Sequence, residues 1–309
     1  MSTAARIPDH ILVFNGWDGY LAQHLYPTAV VSTLKFVDGC ISFDPIEIEK
    51  CTLLLIHFDI SYLGGLLNEF QGLFDAIRSN GGVIWNSGIL DIRKSAVQKH
   101  AQKIGLPTLR ASPEINQDTF LLLKTELNAR GCPEERLPCD VLCKLGLPTL
   151  SKTACISEYP YLRAGDLSAE IWEDKNLHIE RFIHRSDGIF FRVFFSGQHC
   201  ILCEGQSNAV IKRMESASGR NDSLLTRDQS SDALVCLLLG SLKANVFAAA
   251  VTFSNAIELD FGAVDLVVDD DDVVYVVDVN LTPYWGQQKM LPTYLKHFTG
   301  SLYQPASLE

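Results

Sequence analysis

The chain has 309 residues, of which 47% are hydrophobic and 20% charged, with 21 glycines and 12 prolines. That composition folds around its own core and excludes fibrous, collagen-like or disordered roles. At roughly 150 residues per domain the length predicts about two domains, enough to bury a core without disulfides or a structural metal. The 26 Lys and Arg against 37 Asp and Glu leave a net charge of −11; such a balance argues against nucleic acid as a partner, because a polyphosphate backbone is repelled unless the cations are segregated.

Nine cysteines lie at irregular spacings, most inside apolar runs, and read as buried thiols of a reducing cytosol. The amino terminus carries Arg6, Asp9 and His10 before an apolar run of only four residues, so no secretory signal and a cytoplasmic location are expected. The longest apolar stretch, from Ala233 to Val251, holds Lys243 and Asn245 near its middle. A core helix is expected there, and no membrane partner.

In chain order, strand-like runs at residues 11–15, 29–33, 53–59 and 81–86 alternate with helix-like runs at 19–27 and 65–80. Alternation of that kind predicts a parallel βαβ domain over residues 1–86, followed by a second unit over 87–309. A helix is expected from about Asp91, as its N-cap, to Ile104, closed by Gly105 with Pro107 beyond. Phe120 opens the apolar run FLLLK, which leads into the polar loop TELNARGCPEERLP and then mixed stretches. The strand-like runs LHIERFI, IFFRVFF and CILCEG follow, predicting an α+β lobe that feeds an antiparallel sheet. Residues 214–229 are the most polar and turn-rich segment and are expected to form a mobile loop near a site. One long helix is expected from Ser230, and then two strands around an aspartate cluster.

The clearest chemical signal is DLVVDDDDVVYVVDVN, from Asp265 to Asn280. Two β-branched runs flank Asp269 to Asp272, so a hairpin with a four-residue turn is expected. Pairing Asp269 with Val274 and Val268 with Tyr275 then sets Asp265 opposite Asp278, with Asn280 on the same face. Three oxygen-bearing side chains on one apolar hairpin face suit a hard cation such as Mg²⁺. The Asp269–Asp272 run itself reads as a solvated turn. Cys200 and Cys203 have zinc-like spacing but no matching second pair. GxxxxGK[ST], GxGxxG and GxSxG are absent, which argues against P-loop, Rossmann and hydrolase readings.

The segment VDLVV to VVYVVDVNLTP resembles the carboxy-terminal metal-binding signature of the ATP-grasp superfamily: a strand with Asp, a hairpin, then an acidic residue, an apolar residue, Asn and a nearby Pro, here Pro283. DIRKSAVQKHAQKIGLPTLRA resembles the helix entering the family's lid subdomain, FLLLK its phosphate-lysine strand, and LHIERFI with FFRVFFSG its hinge strand and the next one. The resemblance covers about residues 86–286. It implies an α/β and α+β ATP-grasp fold behind an N-terminal βαβ (pre-ATP-grasp) domain, with the lid at about 109–183.

The resemblance also implies roles. Lys94 and Lys124 would face nucleotide phosphates, Glu180, Arg181, Phe182 and Ile183 would form the adenine hinge, and Asp265, Asp278 and Asn280 would hold Mg²⁺, with Mn²⁺ an alternative. Arg192, Lys212 and Arg213 would stabilise the charge that develops during transfer. Three departures stand out: only Gly131 occupies the usual glycine-rich flap, Phe190 stands where an acidic ribose contact is common, with Asp187 its candidate substitute, and Asp278 replaces the more frequent Glu, as in the superfamily's inositol phosphate kinases. The implied activity is ATP-dependent activation of a small-molecule or peptide carboxylate as an acyl phosphate for attack by an amine or other nucleophile, with a homodimer allowed. Its alternatives are a small-molecule kinase on the same fold and an ATP-binding protein without turnover.

Overall fold

The computed structural model describes residues 8–14, 26–37, 40–43, 50–147, 159–283 and 291–299. The first sheet contains β1 (His10–Phe14), β2 (Val30–Val37), β3 (Cys40–Phe43), β4 (Leu53–His57) and β5 (Val83–Trp85), in the order β3-β2-β1-β4-β5. β1 pairs in parallel with β2 and β4, and β4 in parallel with β5, while β3 runs antiparallel to β2. Every residue of β4 is buried, as a continuous apolar run in a two-sided parallel sheet must be. The amphipathic helix α1 (Leu67–Ser79) makes the crossover from β4 to β5. The helix expected at residues 19–27 lies almost wholly outside the described residues.

α2 (Lys94–Lys103) starts later than the sequence suggests. Asp91 turns its carboxylate onto the Arg93 backbone N–H, 3.1 Å, and the Arg93 guanidinium, 2.6 and 2.9 Å, so it shapes the approach to the helix instead of capping it. Gly105 ends the helix at φ +81°, a left-handed conformation that suits glycine.

A three-stranded antiparallel sheet follows, with β6 (Phe120–Thr125) between β7 (Tyr161–Arg163) and β8 (Leu177–Arg181). The segment after β6 includes the short helix α3 (Cys139–Lys144). Its Leu127, Leu137, Val141 and Leu142 share one core with Leu54 and Phe58 from β4 and the loop after it, and with Phe70 of α1. The polar loop expected after FLLLK is therefore the start of a module docked on the first sheet. α4 (Ala169–Glu173) leads into β8.

The largest sheet is antiparallel, in the order β11-β10-β9-β12-β13. It contains β9 (Ile189–Ser196), β10 (His199–Gln206), β11 (Ser218–Thr226), β12 (Phe261–Val268) and β13 (Val274–Asn280). One face packs Val193, Phe195 and Val264 against Val97 of α2 and against the helix that precedes β12. The other sets Phe190, Phe194 and Phe261 against Ile11 and Leu55 of the first sheet and Tyr294 of α7 (Leu291–Thr299).

Three expectations are corrected. Most of residues 214–229 is not a loop: Ser218 to Thr226 form β11, paired with β10 at the sheet edge, where a solvated strand tolerates a polar sequence. The helix from Ser230 breaks at Gly240, φ +81°, into α5 (Ala233–Leu239), capped by Asp232, and α6 (Ser241–Ala256). Not all thiols are buried: Cys139 and Cys143 are exposed on α3, whose buried side carries Val141 and Leu142. Cys200 and Cys203 are buried in different cores on opposite faces of β10, because residues three apart on a strand diverge. Among the described residues no helix is long and apolar enough to cross a membrane.

Candidate functional site

The β12–β13 hairpin sets Asp265 directly opposite Asp278, as expected, by an unexpected route. The turn is one residue longer, pairing Val268 with Val274, and Asp269 N–H reaches the Val273 carbonyl at 3.2 Å. A bulge between Asp265 and Leu266 then leaves Val277 unpaired in the register and sets Asp278 against Asp265, which restores the opposition. Asn280 donates from Nδ2 to Asp265 Oδ2 at 3.1 Å. These hard oxygen donors, half-exposed on a mostly buried strand pair, suit Mg²⁺.

Arg192 on β9 is the cross-strand partner of Asp265 and grips it with two bonds, Nε to Oδ1 at 2.5 Å and Nη2 to Oδ2 at 2.8 Å. Burial disfavours the guanidinium charge, but Asp265 outweighs it and holds the pKa above the usual arginine value. A fork of this kind is rigid and directional.

Two lysines converge from separate elements. Lys94, first residue of α2, is 2% exposed, and its Nζ donates to Asp278 Oδ2 at 3.0 Å and to Asn128 Oδ1 at 2.8 Å. Burial works against its charge, and Asp278 reverses the balance so that its pKa is raised and the ammonium persists at neutral pH. Lys124 of β6 pairs with Glu180 of β8 at 2.5 Å, both buried. His178, also buried, stands between Glu126 and Glu180, with 3.6 Å from a ring nitrogen to each carboxylate. Glu180 Oε1 and His178 Nε2 are both buried without a hydrogen-bond partner and face each other at 3.6 Å, just beyond hydrogen-bond distance.

Lys94, Lys124, Glu180, Arg181, Phe182, Ile183, Arg192, Lys212, Asp265 and Asp278 all line one cleft between the three-stranded and large sheets. β8 ends at Arg181, whose guanidinium donates to the Thr108 carbonyl at 2.6 Å. Phe182 stands edge-on to Tyr161, 4.9 Å between ring centroids. Lys212 donates to the Ser207 carbonyl at 2.8 Å, and burial lowers its pKa against the opposing pull of Asp187. Arg213 is exposed, and the cleft lining does not include it. Asp187 lies in the turn after β8, bonded to Arg185 and to the Ile189 N–H.

Residues that the sequence reading missed also reach the cleft. Tyr159 and Met214 line it, and Asn128 holds Lys94 from behind. Tyr159 has its pKa raised by burial, partly offset by Lys94. No motif announces any of the three.

No protein-family model matches the sequence, and no curated protein matches it. Solved structures do. A RimK domain ATP-grasp protein from Sphaerobacter thermophilus is 12% identical, with TM-score 0.52 over 94% of this chain and 96% of that one. The ATP-grasp ligase PsnB, in complex with a phosphomimetic variant of its minimal precursor, Mg and ADP, is 12% identical, with TM-score 0.50 over 94% of this chain and 97% of that one. At this identity the likeness is one of architecture, and it extends over nearly the whole length of both molecules. The chain has the ATP-grasp fold.

Proposed function

We propose that the protein is an ATP-dependent ligase that activates a carboxylate for attack by an amine or other nucleophile, releasing ADP and phosphate. The reading is supported above all by one observation: two buried lysines from different elements and an opposed carboxylate pair, Asp265 and Asp278, meet in a single cleft. Cations and hard oxygen ligands in that arrangement suit a polyphosphate and its divalent ion. The PsnB complex with Mg and ADP on the same fold agrees with it.

In this reading a substrate carboxylate oxygen attacks the γ-phosphorus of ATP, the bond to the β-phosphate oxygen breaks, and ADP leaves. The amine then attacks the acyl carbon, phosphate departs, and the amine loses a proton. Asp265, Asp278 and Asn280 would hold Mg²⁺, which would supply charge neutralisation at the phosphates. Lys94, beside the metal ligand Asp278, and Lys124, on the three-stranded sheet, bind and orient the phosphates. Arg192, fixed by its two bonds to Asp265, offers a preorganised cation where charge develops. The segment Glu180–Ile183 lines the end of the cleft assigned to the base. Lys212 lies at the rim, while exposed Arg213 is assigned to the approach of substrate. In this reading the first domain ends at residue 86 and the nucleotide-binding unit runs from 87 to 309.

A screen of amino acids, small carboxylates and peptides for ATP-dependent phosphate release tests the assignment. Release of phosphate with ADP in the presence of both carboxylate and nucleophile is the expected result. A stable phosphorylated product would make the protein a kinase, and tight Mg-ATP binding without ADP under every pool would make it a binding protein.

A further inference from the structure

Lys94 is held from two sides, and only one side belongs to the metal ligands. Its Nζ donates to Asp278 Oδ2 at 3.0 Å and to Asn128 Oδ1 at 2.8 Å. An ammonium has three N–H bonds, so one remains for the cleft that Lys94 lines. Asn128 is itself pinned: its Nδ2 donates to the Val279 carbonyl at 2.8 Å, and its backbone N–H donates to Ser61 Oγ at 2.9 Å. Because the Val279 carbonyl can only accept, the amide must turn its NH₂ toward β13 and its oxygen toward the lysine.

This asparagine arrives from outside the cleft. It follows β6, and the chain behind it turns sharply through Ala129, Arg130 and Gly131, all with left-handed φ of 46°, 63° and 78°. The module then docks on the first sheet, where buried Glu134 accepts from the Ser61 N–H at 2.6 Å. A continuous path of hydrogen bonds therefore runs from the docked module through Ser61 and Asn128 to Lys94 and Asp278.

We propose that Asn128 is a positioning residue for Lys94: it divides the lysine's attention so that the ammonium does not collapse onto Asp278. With Asn128 removed, the neighbouring acceptor is a carboxylate, and a lysine drawn fully onto it both presents less charge to a phosphate and competes for a metal ligand. The inference rests on the nucleotide reading of the site. It adds that the docked module, through one amide, sets the geometry of the phosphate-facing lysine.

The test is a binding cycle on the full chain, with Mg-AMPPNP titrated by calorimetry into wild type, Asn128→Ala, Lys94→Ala and the double variant, alongside unfolding midpoints without ligand. Asn128→Ala should weaken binding about tenfold, the scale of a lost hydrogen bond to a charged group, and should require more Mg²⁺ for half-saturation. The double variant should bind no more weakly than Lys94→Ala alone, because the asparagine acts through the lysine. Wild-type affinity in Asn128→Ala, or losses that multiply in the double variant, would overturn the proposal. Ser61→Ala, which removes only the acceptor behind Asn128, should shift affinity the same way by about threefold and supplies the cycle if Asn128→Ala does not fold. Wild type that fails to bind Mg-AMPPNP would overturn the nucleotide reading, and this inference with it, so the two failures are read from different proteins.

Discussion

Lys124 and Glu180 form an ion pair 2.5 Å long between adjacent strands, with both side chains more than nine-tenths buried. The register explains how they meet: Leu122 is opposite Glu180 and Lys124 opposite His178, so the pair lies on a diagonal of the β6–β8 ladder. Removing one member leaves the other buried without its counter-charge. Glu180→Ala should therefore destabilise the fold by about 3–5 kcal/mol, and Glu180→Gln by less, because the amide still accepts from the lysine. Urea unfolding measures both; an alanine variant as stable as wild type would show that the pair is not desolvated.

His57 gives a pH dependence with a definite sign. It is buried at the end of β4 against Phe261, with ring centroids 5.4 Å apart, and burial pushes its pKa down from 6.5 to about 4, partly offset by a hydrogen bond to the Leu281 backbone. The unfolded chain takes up a proton near pH 6.5, whereas the folded chain resists until about 4. The stability that the neutral ring contributes is present above pH 6.5 and is lost as pH falls from there to 4. The loss over that window is of order 3 kcal/mol. His57→Leu should remove this slope, so the difference between wild type and variant in urea midpoints should change steadily between those limits. A constant difference would contradict the assignment.

Gly65 is the seat of the docked module. A Cβ built there would lie 2.2 Å from the Lys144 carbonyl oxygen and 2.9 Å from Leu145 Cα, both backbone atoms at the end of α3. Backbone on both sides cannot give way as a side chain tip could. Gly65→Ala should lift the end of α3 from the first sheet, lowering stability by about 1–3 kcal/mol. Hydrogen exchange should report the change as faster exchange at the Leu145 and Leu147 amides, which bond within this module. Unchanged protection there would show that the contact is easily relieved.

Much of this site was legible in the sequence because its parts are strand residues whose pattern fixes their face. The opposition of Asp265 and Asp278 was read from alternation alone, although two one-residue departures, the longer turn and the bulge at Val277, had to cancel for the prediction to hold. Lys94, Lys124, Glu180, Arg192 and Lys212, singled out from separate segments, line one cleft. Asn128 was not legible: its partners Lys94, Ser61 and Val279 lie 34, 67 and 151 residues away, and no local pattern encodes such a meeting. β11 was missed because an edge strand bearing polar side chains has the composition of a loop, and the break at Gly240 because apolar residues continue on both sides of it.

The central claim is that Asp265 and Asp278 hold the divalent ion for phosphoryl transfer, and it is tested most directly by ADP formation in Asp278→Asn. The amide keeps the size of the side chain and an acceptor for Lys94 while removing the charge that binds metal. With the carboxylate and nucleophile identified by the screen, the variant should stay folded, at a midpoint lowered by the loss of the counter-charge to buried Lys94, and lose Mg²⁺-dependent ADP formation by about a hundredfold or more. A folded Asp278→Asn protein that forms ADP at the wild-type rate and Mg²⁺ dependence would contradict it.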